Sequence, residues 1–218
     1  MFVGHLAVAF VAKKLEPRVP LAVLVAASFG LDLLWPLLLF AGIETVRIDP
    51  GNTAFTALDF QSYPWSHSLA AAGVWGVAAG WVVLTRFKHH RTAWIVGIVV
   101  ISHWVLDVVT HRPDLPLWPG GPRVGLGLWN SIGGTIAVEG VLFIAGLVVY
   151  TSMSQPRDGI GRWALWALVA LVTLIWLVGP WSPPPPSSTA VAVVALAMWL
   201  FPPWAHWIER HRVVGVRG

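Results

Sequence analysis

Six apolar stretches dominate this chain, at about residues 20–42, 66–86, 93–111, 131–152, 162–181 and 189–207. Each is long enough to cross a hydrocarbon core, which takes about 20 helical residues. Lipid offers no partner to backbone N–H and C=O groups, so a spanning segment must bond its own backbone as a helix or close a barrel. Continuous apolar runs of this length fit helices, and the fold expected is an all-α, polytopic membrane bundle. Composition agrees: the 218 residues are 56% hydrophobic and 11% charged, against about 25% charged in a soluble domain. A seventh stretch, 2–15, would reach only about 20 Å as a helix and is expected to be a half-helix. The whole chain, 1–218, reads as one integral membrane domain. Residues 1–152 carry the unusual polar groups, and 153–218 supply scaffold helices with uncharged apolar centres.

The basic residues divide unevenly between the loops. Lys13, Lys14, Arg18, Arg86, Lys88, Arg91, Arg157, Arg162, Arg210, Arg212 and Arg217 fall on one side, leaving Arg47, Arg112 and Arg123 for the other. By the positive-inside rule the larger set marks the cytoplasmic face. The N- and C-terminal basic segments are therefore expected in the cytoplasm of a bacterial inner-membrane protein. The pI near 10.1 reports this topology, and no nucleic-acid partner is expected, because the charges form no single tract. His89, His90, His206 and His211 read as interfacial residues at the same face. No basic region precedes the apolar start Phe2–Ala12, so no cleavable signal is expected.

Against this background five ionisable residues are out of place. Asp32, His67, His103, Asp107 and Glu139 lie inside or at the rim of apolar spans. A charge at bilayer depth costs roughly 2.5–3.5 kcal/mol on the insertion scale, so the three acids alone would cost about 7–10 kcal/mol. On the topology above, all five fall in the extracytoplasmic half. His5, on the half-helix anchored by Lys13 and Lys14, reaches the membrane middle and points toward them. The outer loops 43–65 and 112–130 are the long ones, the second rich in Pro and Gly, and such loops commonly carry function.

A bound divalent cation would offset the buried charge. The chain has no cysteine, so its ligands must be His, Asp, Glu, backbone or water. His103 and Asp107 are four residues apart, about 40° on a helical wheel, and His111 shares their face. Imidazole and carboxylate suit zinc first, with manganese or iron as alternatives. An ion there would acidify a bound water and polarise a phosphoryl or carbonyl oxygen. Glu139 is then a further ligand or a general base, and Asp107 a ligand that takes part in catalysis. Arg112 and Arg123, in the outer loop, suit the head-group phosphate of a lipid.

Four short motifs in order carry a resemblance: Gly4-His5, Gly30-Leu31-Asp32, Ser66-His67-Ser68, and His103-Trp104-Val105-Leu106-Asp107-Val108-Val109-Thr110. Over residues 4 to about 140 the chain resembles the bacterial membrane-bound metal-dependent hydrolases (YdjM-like). That family is similar, distantly, to the zinc-dependent phospholipase C and single-strand nuclease superfamily. The resemblance implies ligand roles for His5, Asp32, His67, His103 and Asp107, with His111 standing for the next histidine. The last motif of that superfamily, H-x-x-x-E, reads here Thr135-Ile136-Ala137-Val138-Glu139. With Thr135 in place of the histidine, one or two ions are implied rather than three. Gly30-Leu31-Asp32 also departs from the family's P-D.

The function expected is hydrolysis of a phosphoester or related bond in a phospholipid or lipid-linked substrate, by metal-activated water in the outer half of the bilayer. Two other readings stay open. One is a proton or metal-ion transporter with the same residues along its path. The other is a non-catalytic membrane accessory protein that holds a structural metal.

Overall fold

The computed structural model describes residues 1–215; Arg217, counted above among the cytoplasmic charges, lies outside them. The chain is mostly helical. Helix α1 (Val3–Leu15) sits at the centre, with Val3, Leu6, Ala9 and Phe10 almost wholly buried. Apart from His5 and the lysines of its last turn it is apolar, as a mostly buried helix must be. Around it stand α2 (Leu21–Ser28), α3 (Gly30–Phe40), the single turn α4 (Pro64–His67), α5 (Leu69–Phe87) and α6 (His90–Thr110). The bundle is completed by α7 (Ile132–Met153), α8 (Gly159–Val178), α9 (Ser188–Leu196) and α10 (Phe201–Arg210). The half-helix expected at 2–15 is therefore present as α1.

Five helical segments are long and apolar enough to cross a membrane, or six if the bent pair α2 and α3 is one span. Their outer faces are apolar: Val74, Val77, Trp81, Trp94, Val141, Ile144, Trp163 and Val194 are all exposed. That inversion of the soluble pattern is consistent with contact to lipid.

Several of the expected spans are not uniform α-helices, and two bear on the centre of the bundle. The stretch 20–42 bends by 56° at Phe29, between α2 and α3. The stretch 189–207 tightens into a 3-10 segment at Ala197–Leu200 before α10, which opens on Pro202 and Pro203. Proline is tolerated in a helix's first turn, where its missing N–H has no partner to lose.

The all-α expectation also needs amending at the loops. Strands β1 (Thr45–Ile48) and β2 (Leu58–Ser62) pair antiparallel, with Val46 opposite Phe60 and Arg47 opposite Asp59. Two smaller ladders join β3 (Leu115–Pro116) to β4 (Arg123–Val124), and β5 (Ser154–Pro156) to β6 (Arg212–Val214). The β-branched run Thr45-Val46-Arg47-Ile48 suits a strand, and helix periodicity had nothing to report there.

The loops gather at two ends. At the basic end Arg18 meets His89 at 3.0 Å, Arg91 donates to the Leu15 carbonyl, and His211 Nδ1 lies 2.8 Å from Asp158. Lys13 is buried there, ion-paired with Glu209 and donating to the Pro17 and Val19 carbonyls. At the opposite end Arg47 and Arg112 both reach Asp59, and Arg123 donates to the Gln61 carbonyl.

Close backbone approach sets the position of α1. A Cβ built on Gly146 of α7 would lie 2.6 Å from Ala7 Cα and 2.8 Å from Ala7 O. Overpacking of this kind costs about 1–3 kcal/mol, and more where backbone must move. Gly146→Leu is expected to lower the thermal midpoint of the detergent-purified protein by several degrees, read in a melting assay. An unchanged midpoint would mean that α1 and α7 are not packed at this distance.

Candidate metal centre

The break at Phe29 shapes the centre. Ser28, the last residue of α2, presents its carbonyl oxygen 2.8 Å from His103 Nδ1. A carbonyl only accepts, so Nδ1 carries a proton, and in the neutral ring the lone pair sits on Nε2. That Nε2 points inward, 3.6 Å from Asp32 Oδ1 and 3.2 Å from Asp107 Oδ2, with no hydrogen bond to either. Non-helical backbone at bilayer depth is tolerated where it lines such a site. Asp32 lies in the first turn of α3, where the helix dipole favours an anion.

His67 is oriented in the same way from the outer side. Glu44 is 1% exposed and accepts from the Trp65 and Ser66 backbone N–H groups. The Ser66 hydroxyl donates to Glu44 Oε2 at 2.6 Å, and so accepts from His67 Nδ1 at 2.7 Å. His67 Nε2 is left facing Asp32 Oδ1 at 3.3 Å. Two imidazoles, each tied back through Nδ1–H with Nε2 turned inward, reproduce the support that metal-ligating histidines receive.

His5 enters from α1 and stacks on His103, ring centroids 3.7 Å apart and 5° from parallel. Its Nε2 is 3.2 Å from Asp107 Oδ1, but neither ring nitrogen has a hydrogen-bond partner. The result is two groups that share His103: His5, His103 and Asp107, and Asp32, His67 and His103. Within each group the ligand atoms lie within 4.8 Å of one another. Asp32 is the most accessible of the five, with a side chain 20% exposed against 5% or less for the rest.

The donor set fits a divalent cation. With the rings neutral, buried nitrogen lone pairs and carboxylate oxygens face one another, an arrangement that is costly unless a cation joins them. One positive group does reach the cluster: the Met1 ammonium, ion-paired with Asp107 Oδ1.

Glu139 stands beside the cluster, outside both groups. Its Oε2 accepts from the Phe2 N–H at 2.8 Å, while Oε1 is buried without a partner. Thr135, one turn earlier on α7, is bonded back to its own chain, its hydroxyl 2.9 Å from the Ser131 carbonyl and 3.0 Å from that of Leu128. It takes no part in the cluster.

His111 is not brought into either group. The helix ends at Thr110, and His111 turns extended, with φ −65° and ψ 146°. The shared helical face therefore stops one residue short of it. Its Nδ1 lies 3.0 Å from Asp114 and 3.3 Å from the Tyr63 hydroxyl, which donates to the same carboxylate. Burial and the Asp114 charge raise the Tyr63 pKa well above the ordinary phenol value, so Tyr63 remains a donor. Arg112, in the loop after α6, is bound by Asp59 and Asp114, and Arg123, in β4, donates to the Gln61 carbonyl; their recorded partners lie outside the cluster.

Sequence reasoning missed Glu44 and the Ser28 carbonyl. A glutamate in a polar loop looks solvated, and no residue type marks a carbonyl freed by a bend. Comparison with protein-family models, with curated proteins and with solved structures gives no match.

Proposed function

We propose that this chain is a membrane-embedded, metal-dependent hydrolase acting on a phosphoester or related bond of a lipid or lipid-linked substrate. The observation that carries the reading is the pair of His/Asp groups sharing His103, with His67 and His103 both oriented through Nδ1. Five ligands from four helices, four of them buried, suit one or two divalent ions, zinc first and manganese or iron next. When bound, such an ion supplies Lewis acidity, easing loss of a proton from water and drawing charge onto a phosphoryl oxygen.

The protein's own groups supply the rest. Asp107 and His103 hold the inner part of the site, and Asp32 and His67 the part open to a substrate. Glu139 Oε1, buried and unpartnered, takes the proton of the attacking water as its oxygen bonds to phosphorus. The ester P–O bond breaks, and the same proton returns to the leaving oxygen. Arg123, and Arg112 if it exchanges its carboxylates for phosphate, would steady the head group. The basic end faces the cytoplasm of a bacterial inner membrane in this reading, which puts the site in the outer half.

A transport path is less well supported. On the basic-end side of the cluster, the α1 and α6 residues Leu6, Ala9, Phe10, Val96, Val99 and Val100 are buried and apolar.

Elemental analysis of protein purified without chelator tests the reading. At least one equivalent of zinc, manganese or iron per chain is expected, removable by chelation together with turnover of a phosphoester substrate. A stoichiometry near zero for all three metals would sink it.

A further inference from the structure

On the basic-end side of the metal centre an apolar cleft of about 500 Å³ opens between the bent pair α2 and α3 and the hairpin of α5 and α6. Val23, Ala27, Gly30 and Leu31 form one wall and Ala79, Val83, Val96 and Val100 the other. Its size falls within the range of ligand sites, roughly 300–1,000 Å³. It opens sideways: the rim residues Leu37, Trp75 and Val82 are 44%, 42% and 63% exposed. The inner parts of both walls, Leu31, Val83, Val96 and Val100, are buried.

The cleft comes within one helical turn of the metal centre, whose ligands lie just beyond its lining. Val96, Val100, His103 and Asp107 follow at spacings of four, three and four on α6, so they form one stripe along the helix. Val100 lies only about 4.5 Å below His103 along the axis. On the facing wall, Asp32 is flanked by Leu31 and Leu33, which both line the cleft. Asp32 is also the most accessible member of the cluster. One stripe thus passes from an apolar, laterally open channel to the metal ligands.

We infer that this cleft holds a single hydrocarbon chain of the lipid substrate, with its scissile head-group end at Asp32, His67 and His103 and its tail toward the basic end. The head-group placement rests on the hydrolase reading; the occupancy of the cleft does not. A lipid of the outer leaflet has this polarity, with its tail running from the site toward the bilayer centre.

Gly30 allows a clean test. Gly30 lines the cleft and a Cβ added there meets nothing within 4 Å, so Gly30→Phe introduces a ring at the cleft wall with no clash at its point of attachment. The protein is placed in phosphatidylethanolamine and phosphatidylglycerol vesicles doped with a phosphatidylglycerol carrying a diazirine on one acyl chain, either near the glycerol or at the chain end. After illumination, adducts are mapped by peptide mass spectrometry, and metal is measured on the same preparation. The near-glycerol probe is expected to mark Leu34 and Trp75, and the chain-end probe Val23 and Ala79, all accessible residues of the cleft lining. Gly30→Phe should remove these adducts several-fold while leaving those on the lipid-facing Val141 and Ile144. Adducts confined to exposed faces, the reverse order of the two probes, or an unchanged pattern in a folded Gly30→Phe protein would overturn the inference. Cleft labelling in a preparation without metal would count against the hydrolase reading and leave chain occupancy standing.

Discussion

Asp107→Asn is expected to strip the protein of its divalent ion and abolish hydrolysis together. Asp107 is the carboxylate with the widest reach in the cluster. Oδ1 lies 3.2 Å from His5 Nε2 and is ion-paired with the Met1 ammonium, while Oδ2 lies 3.2 Å from His103 Nε2 and 3.9 Å from that of His67. Asparagine keeps the shape, but it removes the negative charge and turns an NH2 toward one of these neighbours. Loss of an outer-shell partner of a metal ligand typically lowers affinity about 10–100-fold; loss of a charged ligand should exceed that. Elemental analysis and phosphoester turnover give the two readouts, with circular dichroism to verify folding. A folded variant with normal metal content and normal turnover would remove Asp107 from the centre and the mechanism with it.

The part of this architecture written into the sequence is the part set by energy at bilayer depth. Charged groups in apolar spans stand out because their cost is high, and this drew attention to Asp32, His103, Asp107 and Glu139. Helical spacing linked His103 to Asp107, and the length of the first apolar run placed His5 near them as a half-helix, as α1 does. What was hidden depends on backbone events without a residue signature. The bend at Phe29 presents the Ser28 carbonyl to His103. His111 leaves the helical face because α6 ends one residue earlier. Glu44 lies in an outer loop and becomes buried when α4 folds over it and uses it to cap Trp65 and Ser66. The hairpins that bind Arg112 and Arg123 were likewise invisible to a reading that looked for helices.

Glu139→Gln is expected to separate catalysis from metal binding: the ion stays, and hydrolysis falls by about 10²–10⁴-fold, the usual worth of a general acid or base. Glu139 belongs to neither ligand group. One oxygen is held by the Phe2 N–H at 2.8 Å, and the other is buried with no partner. Glutamine can still accept that N–H through its single carbonyl oxygen, so α1 keeps its seat against α7. What it loses is the second oxygen as a proton acceptor, because an amide NH2 can only donate. The alternative role gives the opposite result. If Glu139 completes the coordination shell, the variant loses metal as Asp107→Asn does. Thr135 gives a reason to expect the first outcome. Its hydroxyl is committed to the Ser131 and Leu128 carbonyls, so no histidine-like partner stands one turn before Glu139 to help it hold an ion. A glutamate left without that partner, beside a cluster already supplied with three histidines and two aspartates, is better placed to move a proton than to bind a metal.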